Sequence, residues 1–250
     1  MRPTDARPLA EAAAGTVTKA EICAVACADL FLGAGEILAS PMGLLPSLGA
    51  RLARLTSEPD LLLSDGEAFL LTSEAEVEGW MPYRRVFDVV AHGRRHVVMG
   101  ANQLDRFGNQ NISAIGDHAK PTRQLLGFRG APGNTANHRT SYWVPRHNPR
   151  VFVDVVDVVS GVGYDHAVGP FHDLHRVVTN LAVLDFDTPD HSMRLVSVHP
   201  GVEVDDVLRQ TSFPLEHDDV DETRQPTDVE LELLRTVLDP GGARDREVPS

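Results

Sequence analysis

Ligands of open α/β sheets bind outside the carboxyl ends of the strands, so a polar group closing a buried strand is the first place to look for chemistry. The sequence offers one such place. The apolar run Leu61-Leu62-Leu63 ends in Ser64-Asp65-Gly66-Glu67. Asp65 or Glu67 would serve as a nucleophile or base if burial raised its pKa; alternatively, Asp65-Gly66 simply makes a turn. Two glycine clusters are the best oxyanion-binding signals: Gly33-Ala34-Gly35 and Gly130-Ala131-Pro132-Gly133-Asn134. Glycine lets the backbone approach a ligand and aim successive N–H groups at negative oxygen. Neither cluster matches the phosphate loop or the dinucleotide fingerprint, so ordinary turn glycines compete with the binding reading.

Histidines invite a metal or triad reading. His138 and His147 flank a polar segment, and His166, His172 and His175 follow within ten positions of one another. No His-Glu-x-x-His pair, zinc spacing or facial triad accompanies them, and no metal site is predicted. Val158 stands where a nucleophile elbow around Ser160 needs its first glycine. Cys23 and Cys27, four apart in an apolar run, fall on one face of a helix and are expected to be small buried hydrophobes.

The elements that must position these groups alternate between helical and extended, which predicts an α/β sheet protein. Thr18 and Glu21 form a capping box for a helix through Ala28. Ser40-Pro41 opens a second helix through Leu44, Leu48, Leu52 and Leu55. A helix is expected from Tyr83 to Ala91, a strand at His96–Met99, and a hairpin within 102–112 turning at Arg106–Asn109. The β-branched run Val151–Val159 predicts a central strand, and Val177–Phe186 and Met193–Val198 two more. Helices are expected near Val204–Gln210 and Asp228–Leu238, with a solvated acidic loop at His217–Thr227. The boundaries are an N-terminal extension at 1–17, one domain at 18–240 and a frayed tail at 241–250.

Composition narrows the partners. The 250 residues carry 23 basic and 36 acidic side chains, a formal charge of −13. Nucleic-acid affinity rests on neutralising phosphates with Lys and Arg, and this chain has two lysines and scattered arginines, so nucleic acid is not an expected partner. No apolar stretch reaches the roughly 18–20 residues of a membrane span, and Met1–Ala14 holds no signal-like apolar core. A cytoplasmic location is expected.

Several strings together resemble one family: Gly33-Ala34-Gly35-Glu36, the Asp60–Gly66 strand and turn, Gln103-Leu104-Asp105-Arg106-Phe107-Gly108-Asn109-Gln110-Asn111, Gly130–Asn134 and His199-Pro200-Gly201-Val202. In this order they resemble the β subunits of class I (glutaconate-type) acyl-CoA transferases, over roughly residues 18–240. The resemblance implies an open α/β sheet flanked by helices, an α subunit of related fold as partner in an α2β2 heterotetramer, and an interfacial site for acyl-CoA. It also implies a β-subunit glutamate that attacks the thioester at the strand end before a glycine. Here that position is Ser64 or Asp65, with Glu67 two residues on; Asp65 is one methylene short, about 1.5 Å, and a displacement of that order can cost about 10²-fold.

The stretch Asn134–Trp143 is similar to a divergent branch of the family, the cholesterol ring-cleaving hydrolases. That resemblance implies hydrolytic, retro-Claisen opening of the last steroid ring of a cyclic β-keto acyl-CoA. It places the main catalytic glutamate on the α subunit, as a general acid–base, and requires no cofactor beyond the CoA of the substrate. Gly33, Ala34, Gly35, Gly130, Gly133 and Asn134 would then supply oxyanion and CoA contacts, and Arg139, with Arg106, Arg123, Arg129 and Arg146, would meet phosphates. Two alternatives stay open: a transferase β subunit using Asp65 or Glu67, and a noncatalytic scaffold.

Overall fold

The computed structural model describes residues 15–66, 68–82, 85, 88, 92, 94–166 and 169–249. Ten strands form the main sheet: β1 (Leu38–Pro41), β2 (Leu62–Ser64), β3 (Phe69–Leu71), β4 (Val77–Trp80), β5 (Arg95–Gly100), β10 (Arg139–Val144), β11 (Asp173–Thr179), β12 (Ala182–Asp185), β13 (Arg194–Val198) and β14 (Asp221–Glu222). Their order is β14-β13-β12-β11-β10-β5-β1-β2-β3-β4. The five central strands, β2, β1, β5, β10 and β11, run parallel. Antiparallel strands continue the sheet on both sides, and β14 closes one edge in parallel with β13. Two short ribbons stand apart, β6 (Gln103–Leu104) with β7 (Gln110–Asn111), and β8 (Ala114–Ile115) with β9 (Arg123–Gln124). The expected open α/β sheet flanked by helices is what the chain forms. No helix of the described residues is long and apolar enough to cross a membrane.

One face of the sheet carries α1 (Lys19–Asp29) and α2 (Leu44–Leu55). The Thr18–Glu21 capping box is present, with both reciprocal bonds made. Helix α1 is buried from Ala20 to Ala28, as expected of a helix apolar on all sides. Cys23 and Cys27 are free and buried within it, and burial pushes the Cys23 thiol up to about 12. The two helices cross where Gly49 meets Cys27: a Cβ at Gly49 would stand 2.6 Å from the Cys27 Cβ and 2.7 Å from its carbonyl carbon. Gly49→Ala would ordinarily gain about 1 kcal/mol of helix propensity. Here overpacking should win, with a net loss of about 1–3 kcal/mol in urea unfolding; a stabilised variant would show that the crossing can open freely.

The other face carries a second core, built on Val97, Met99, Tyr142 and Val144 and covered by the ribbons and the 151–165 segment. The Gln103–Asn111 string is a polar clasp for that segment. Asn111 donates to Gln103 Oε1 at 2.6 Å, and Gln103 Nε2 donates to Asp157 at 3.0 Å. Asn109 donates to Asp105 and Asp165, and the Gly163 amide donates to Asn109 Oδ1. Buried polar groups that satisfy one another in this way specify a unique arrangement.

Several expectations are corrected. Ser40-Pro41 closes β1 instead of opening a helix; α2 begins after Gly43, whose φ of 111° suits glycine alone. Val151–Val159 is not a strand: only Phe152 makes a bridge, to Leu104, and Val155 is 75% exposed. Asp154 and Asp157 break the run, and Asp157 is drawn into the clasp. The central place belongs to β10, buried from Thr140 to Val144. Residues 177–186 fold into two antiparallel strands turning at Asn180-Leu181. The acidic 217–227 loop includes exposed β14.

The tail at 241–250 is not frayed in its described part. Residues Arg244–Glu247 form a short helix, Arg244 is buried against Glu21 and Asp239, Glu247 accepts from Trp143 Nε1, and Val248 joins the core. Buried ion pairs and an apolar anchor hold it. Residues 1–14 and most of the Tyr83–Ala91 helix lie outside the described residues.

Candidate functional site

Strand alternation places Ser40, Ser64 and Arg95 on the face opposite α1 and α2, with Val97 and Met99. There they form a hydrogen-bonded chain. Arg95 Nε donates to Ser40 Oγ at 3.0 Å, and Ser40 Oγ lies 3.1 Å from Ser64 Oγ. Ser64 donates to the Ala39 carbonyl at 3.0 Å and accepts from the Gly66 amide at 3.2 Å. With the Ser64 proton committed to Ala39, Ser40 is the donor between the two hydroxyls. The far side of Arg95 is held by Asn134, whose Oδ1 accepts from Nη1 at 3.1 Å. Asn134 belongs to the helix Ala131–Asn137, and its amide also reaches Met99 Sδ.

All four side chains are buried, Arg95 at 5% exposure. The guanidinium pairs with no carboxylate among the described residues, and burial lowers its pKa to about 10. Among the described residues no base adjoins Ser64, whose partners are a hydroxyl, a carbonyl and an amide. It therefore lacks the activation a serine nucleophile needs.

The predicted residues divide. Ser64 and Asn134 belong to this cluster. Asp65 does turn work: Oδ1 accepts from the Ala68 and Phe69 amides at 2.9 and 3.1 Å, tying β2 to β3. Glu67 lies outside the described residues. The Gly33 and Gly35 amides form an anion nest already filled from within, donating to the two oxygens of Glu58 at 2.7 and 3.1 Å; Ala34 packs against the α1–α2 core. That nest precedes β1, at the other end of the strand from Pro41.

Gly130 is the N-cap of the Ala131–Asn137 helix, and Gly133 lies inside the helix, so this segment is a helical turn and not a loop. Arg139 is half-exposed and pairs with Asp173 at 2.8 Å. Arg106 lies over the Phe107 ring, and Arg123, Arg129 and Arg146 are exposed. His147 stacks on Phe152 between Thr179 and Thr211, and no cluster among the described residues could hold a metal ion.

Sequence reasoning missed Arg95 and Ser40. The signal was there: an arginine begins a strand whose next same-face residues, Val97 and Met99, are apolar, and a serine sits inside the buried strand Leu38–Pro41.

No family model matches the chain. Individual relatives do. The chain is 62% identical over 245 residues to the cholesterol ring-cleaving hydrolase IpdB subunit of Rhodococcus jostii, covering 93% of this chain and 96% of that one. It is 58% identical to the same subunit of Mycobacterium tuberculosis, covering 93% and 99%. The chain belongs to the IpdB family of CoA-transferase-like β subunits.

The fold agrees. The crystal structure of Rhodococcus jostii IpdAB superposes with a TM-score of 0.89 at 61% identity, over 94% of this chain and all of that one. Glutaconate CoA-transferase of Acidaminococcus fermentans superposes at 0.80 with 24% identity, over 91% and 97%, which shows a shared fold. Within this family's fold, Ser64 closes the strand at which the resemblance to transferases leads one to expect a nucleophilic glutamate.

Proposed function

We propose that this chain is the β subunit of a cytoplasmic acyl-CoA hydrolase. With an α subunit of related fold, in an α2β2 assembly, it opens the last steroid ring of a cholesterol-derived cyclic β-keto acyl-CoA. Water adds to the ring ketone to give a hydrate oxyanion. The adjacent C–C bond then breaks, the ketone carbon leaves as a carboxylate, and the electron pair moves to the carbon beside the thioester, which takes a proton. The thioester survives, and CoA enters and leaves as part of the substrate. Developing charge on two oxygens calls for fixed donors and cations, and the proton transfers call for a carboxylate. That carboxylate belongs to the α subunit in this reading.

One observation carries the reading. The strand end where transferase chemistry requires a free glutamate holds Ser64, bound on every side, followed by an aspartate clipped to two backbone amides. The names of the relatives support it. The assembled complex, given cyclic and linear acyl-CoAs in ¹⁸O-water, should place heavy oxygen in a ring-opened acyl-CoA and leave no CoA adduct on either chain. An adduct on Asp65 or Glu67 would establish a transferase, and absence of any product would leave a scaffold.

A second expectation follows from the turn. Asp65→Asn keeps the acceptor for the Ala68 and Phe69 amides, so steady-state turnover should match the wild type. A loss of about 10²-fold or more would return Asp65 to the chemistry.

A further inference from the structure

Arg95 holds a charge that no carboxylate among the described residues neutralises. Burying a guanidinium without an anion costs several kcal/mol, and evolution usually places a carboxylate beside it. Elsewhere this chain does so: Arg235 and Arg244 meet Glu21, and Arg224 meets Asp29 and Glu230. At Arg95 the partners are two neutral oxygens, Ser40 Oγ on Nε and Asn134 Oδ1 on Nη1. These bonds fix the plane of the guanidinium. Nη2 makes no hydrogen bond among the described residues, and the arginine keeps 5% of its surface exposed. The result is an immobilised cationic edge, linked through Ser40 to the strand end at Ser64.

We propose that Arg95 is a carboxylate-binding residue of this site. In the ring-opening reading, on which this inference rests, its free edge meets the oxygen of the hydrate and then the carboxylate that C–C cleavage leaves on the acyl chain. An arginine suits that task because its planar fork matches two carboxylate oxygens and stays charged through the reaction. Ser40 and Asn134 act as positioning residues: they hold the fork in place without supplying charge, so all of its field remains available to the ligand. The ligand class is an acyl-CoA with a carboxylate on the acyl chain.

The test uses binding, so it does not depend on turnover. The assembled αβ complex is titrated calorimetrically with succinyl-, glutaryl- and adipyl-CoA, and with butyryl-, pentanoyl- and hexanoyl-CoA as uncharged counterparts of equal length. The wild type should prefer the carboxylate-bearing member of at least one pair by about tenfold or more, the size expected of charge-assisted bonds. Arg95→Met should abolish that preference, bringing the affinities of the two members of the pair to within about twofold of each other. Arg95→Gln, which retains polar contacts toward Ser40 and Asn134, covers the case in which the methionine variant does not assemble.

No preference in the wild type, or a preference that survives both substitutions, overturns the proposal. So does a variant whose only defect is weaker association of the α and β chains, because the carboxylate would then be a side chain of the partner. Failure of ring opening in ¹⁸O-water with the carboxylate preference intact would refute the reaction and leave the binding site standing.

Discussion

Between pH 6.5 and 4.5 the protein should lose most of its stability. Burial holds His147 at about 3 and His175 and His199 at about 4, and drives His96 well below its usual value. His175 is also pushed down by Arg139 and Arg176, and His96 by His175 and Arg139. Each ring is neutral in the folded state and is packed or bonded as such: His147 between two threonine hydroxyls, His199 between Thr223 and the Thr179 carbonyl, His96 against Ser141 and Phe31.

The sign follows from proton binding. Below about pH 6.5 the unfolded chain takes up protons that the folded chain refuses, so stability falls as pH falls. The loss ends for each ring at its folded pKa. Each histidine contributes a slope of about 1.4 kcal/mol per pH unit within that window. The three with stated values therefore give about 4 kcal/mol per unit near pH 5. Because the unfolded rings are only half protonated at about pH 6.5, the slope builds up across the window, and the total over two units, about 6 kcal/mol, rivals the whole stability of an ordinary domain. Glu21, Glu230 and Asp239, whose pKa values are held low by arginine partners and backbone amides against the opposing effect of burial, keep their contributions until the pH falls into the usual carboxylate range and lose them below it. Thermal unfolding of the complex from pH 7.5 to 4.5 checks this. A Tm that stays level down to pH 5 would mean that the buried rings are reached by water.

How much of this was legible beforehand depends on whether a signal is local. The Thr18–Glu21 cap, the apolar period of α2 and the hairpin at Arg106–Asn109 are written in neighbouring residues, and the structure forms all three. The central strand was misassigned because β-branched content outweighed burial. Val151–Val159 has the composition of a strand but carries two aspartates, whereas β10 reads as Arg-Thr-Ser-Tyr-Trp-Val and is buried only because β5 and β11 flank it. Polar residues inside a sheet are paid for by partners distant in sequence, as with His96 and Ser141.

The same reason hid half of the site. Ser64 and Asn134 stood in recognisable strings, but Arg95 acquires its meaning from Ser40, 55 positions away, and Asn134, 39 positions away. Conversely, the Gly33–Gly35 cluster looked like a ligand cradle because Glu58, its occupant, lies on another segment.

Glu21→Gln should be the most damaging single substitution on the α1 face. The side chain is fully buried at the start of α1 and accepts from Arg235 Nε at 2.7 Å and Nη2 at 2.8 Å, from Arg244 Nη2 at 2.8 Å and from the Thr18 amide at 3.0 Å. Burial pushes its carboxyl up, and the bonds from Arg235, Thr18 and Arg244 more than offset that and hold it below the usual range. Glutamine keeps the shape and the Thr18 bond but removes the anion. Arg244, at 6% side-chain exposure, then has only Asp239, and Arg235 has lost its buried partner. Breaking one side of a buried ion pair costs about 3–5 kcal/mol, which corresponds to a Tm lowered by about 6–20 °C in a chain of this size. The loss should also free the Arg244–Glu247 helix, exposing Trp143 Nε1 and Val248, so amide exchange at the C-terminus should rise before global unfolding. Replacing Glu21, Arg235 and Arg244 together with leucine should cost much less than Glu21→Gln alone, because what destabilises is the stranded charge and not the missing bonds. If the single variant loses under about 1 kcal/mol, the three residues behave as a surface pair, and the C-terminal helix is held by Val248 and its apolar contacts instead.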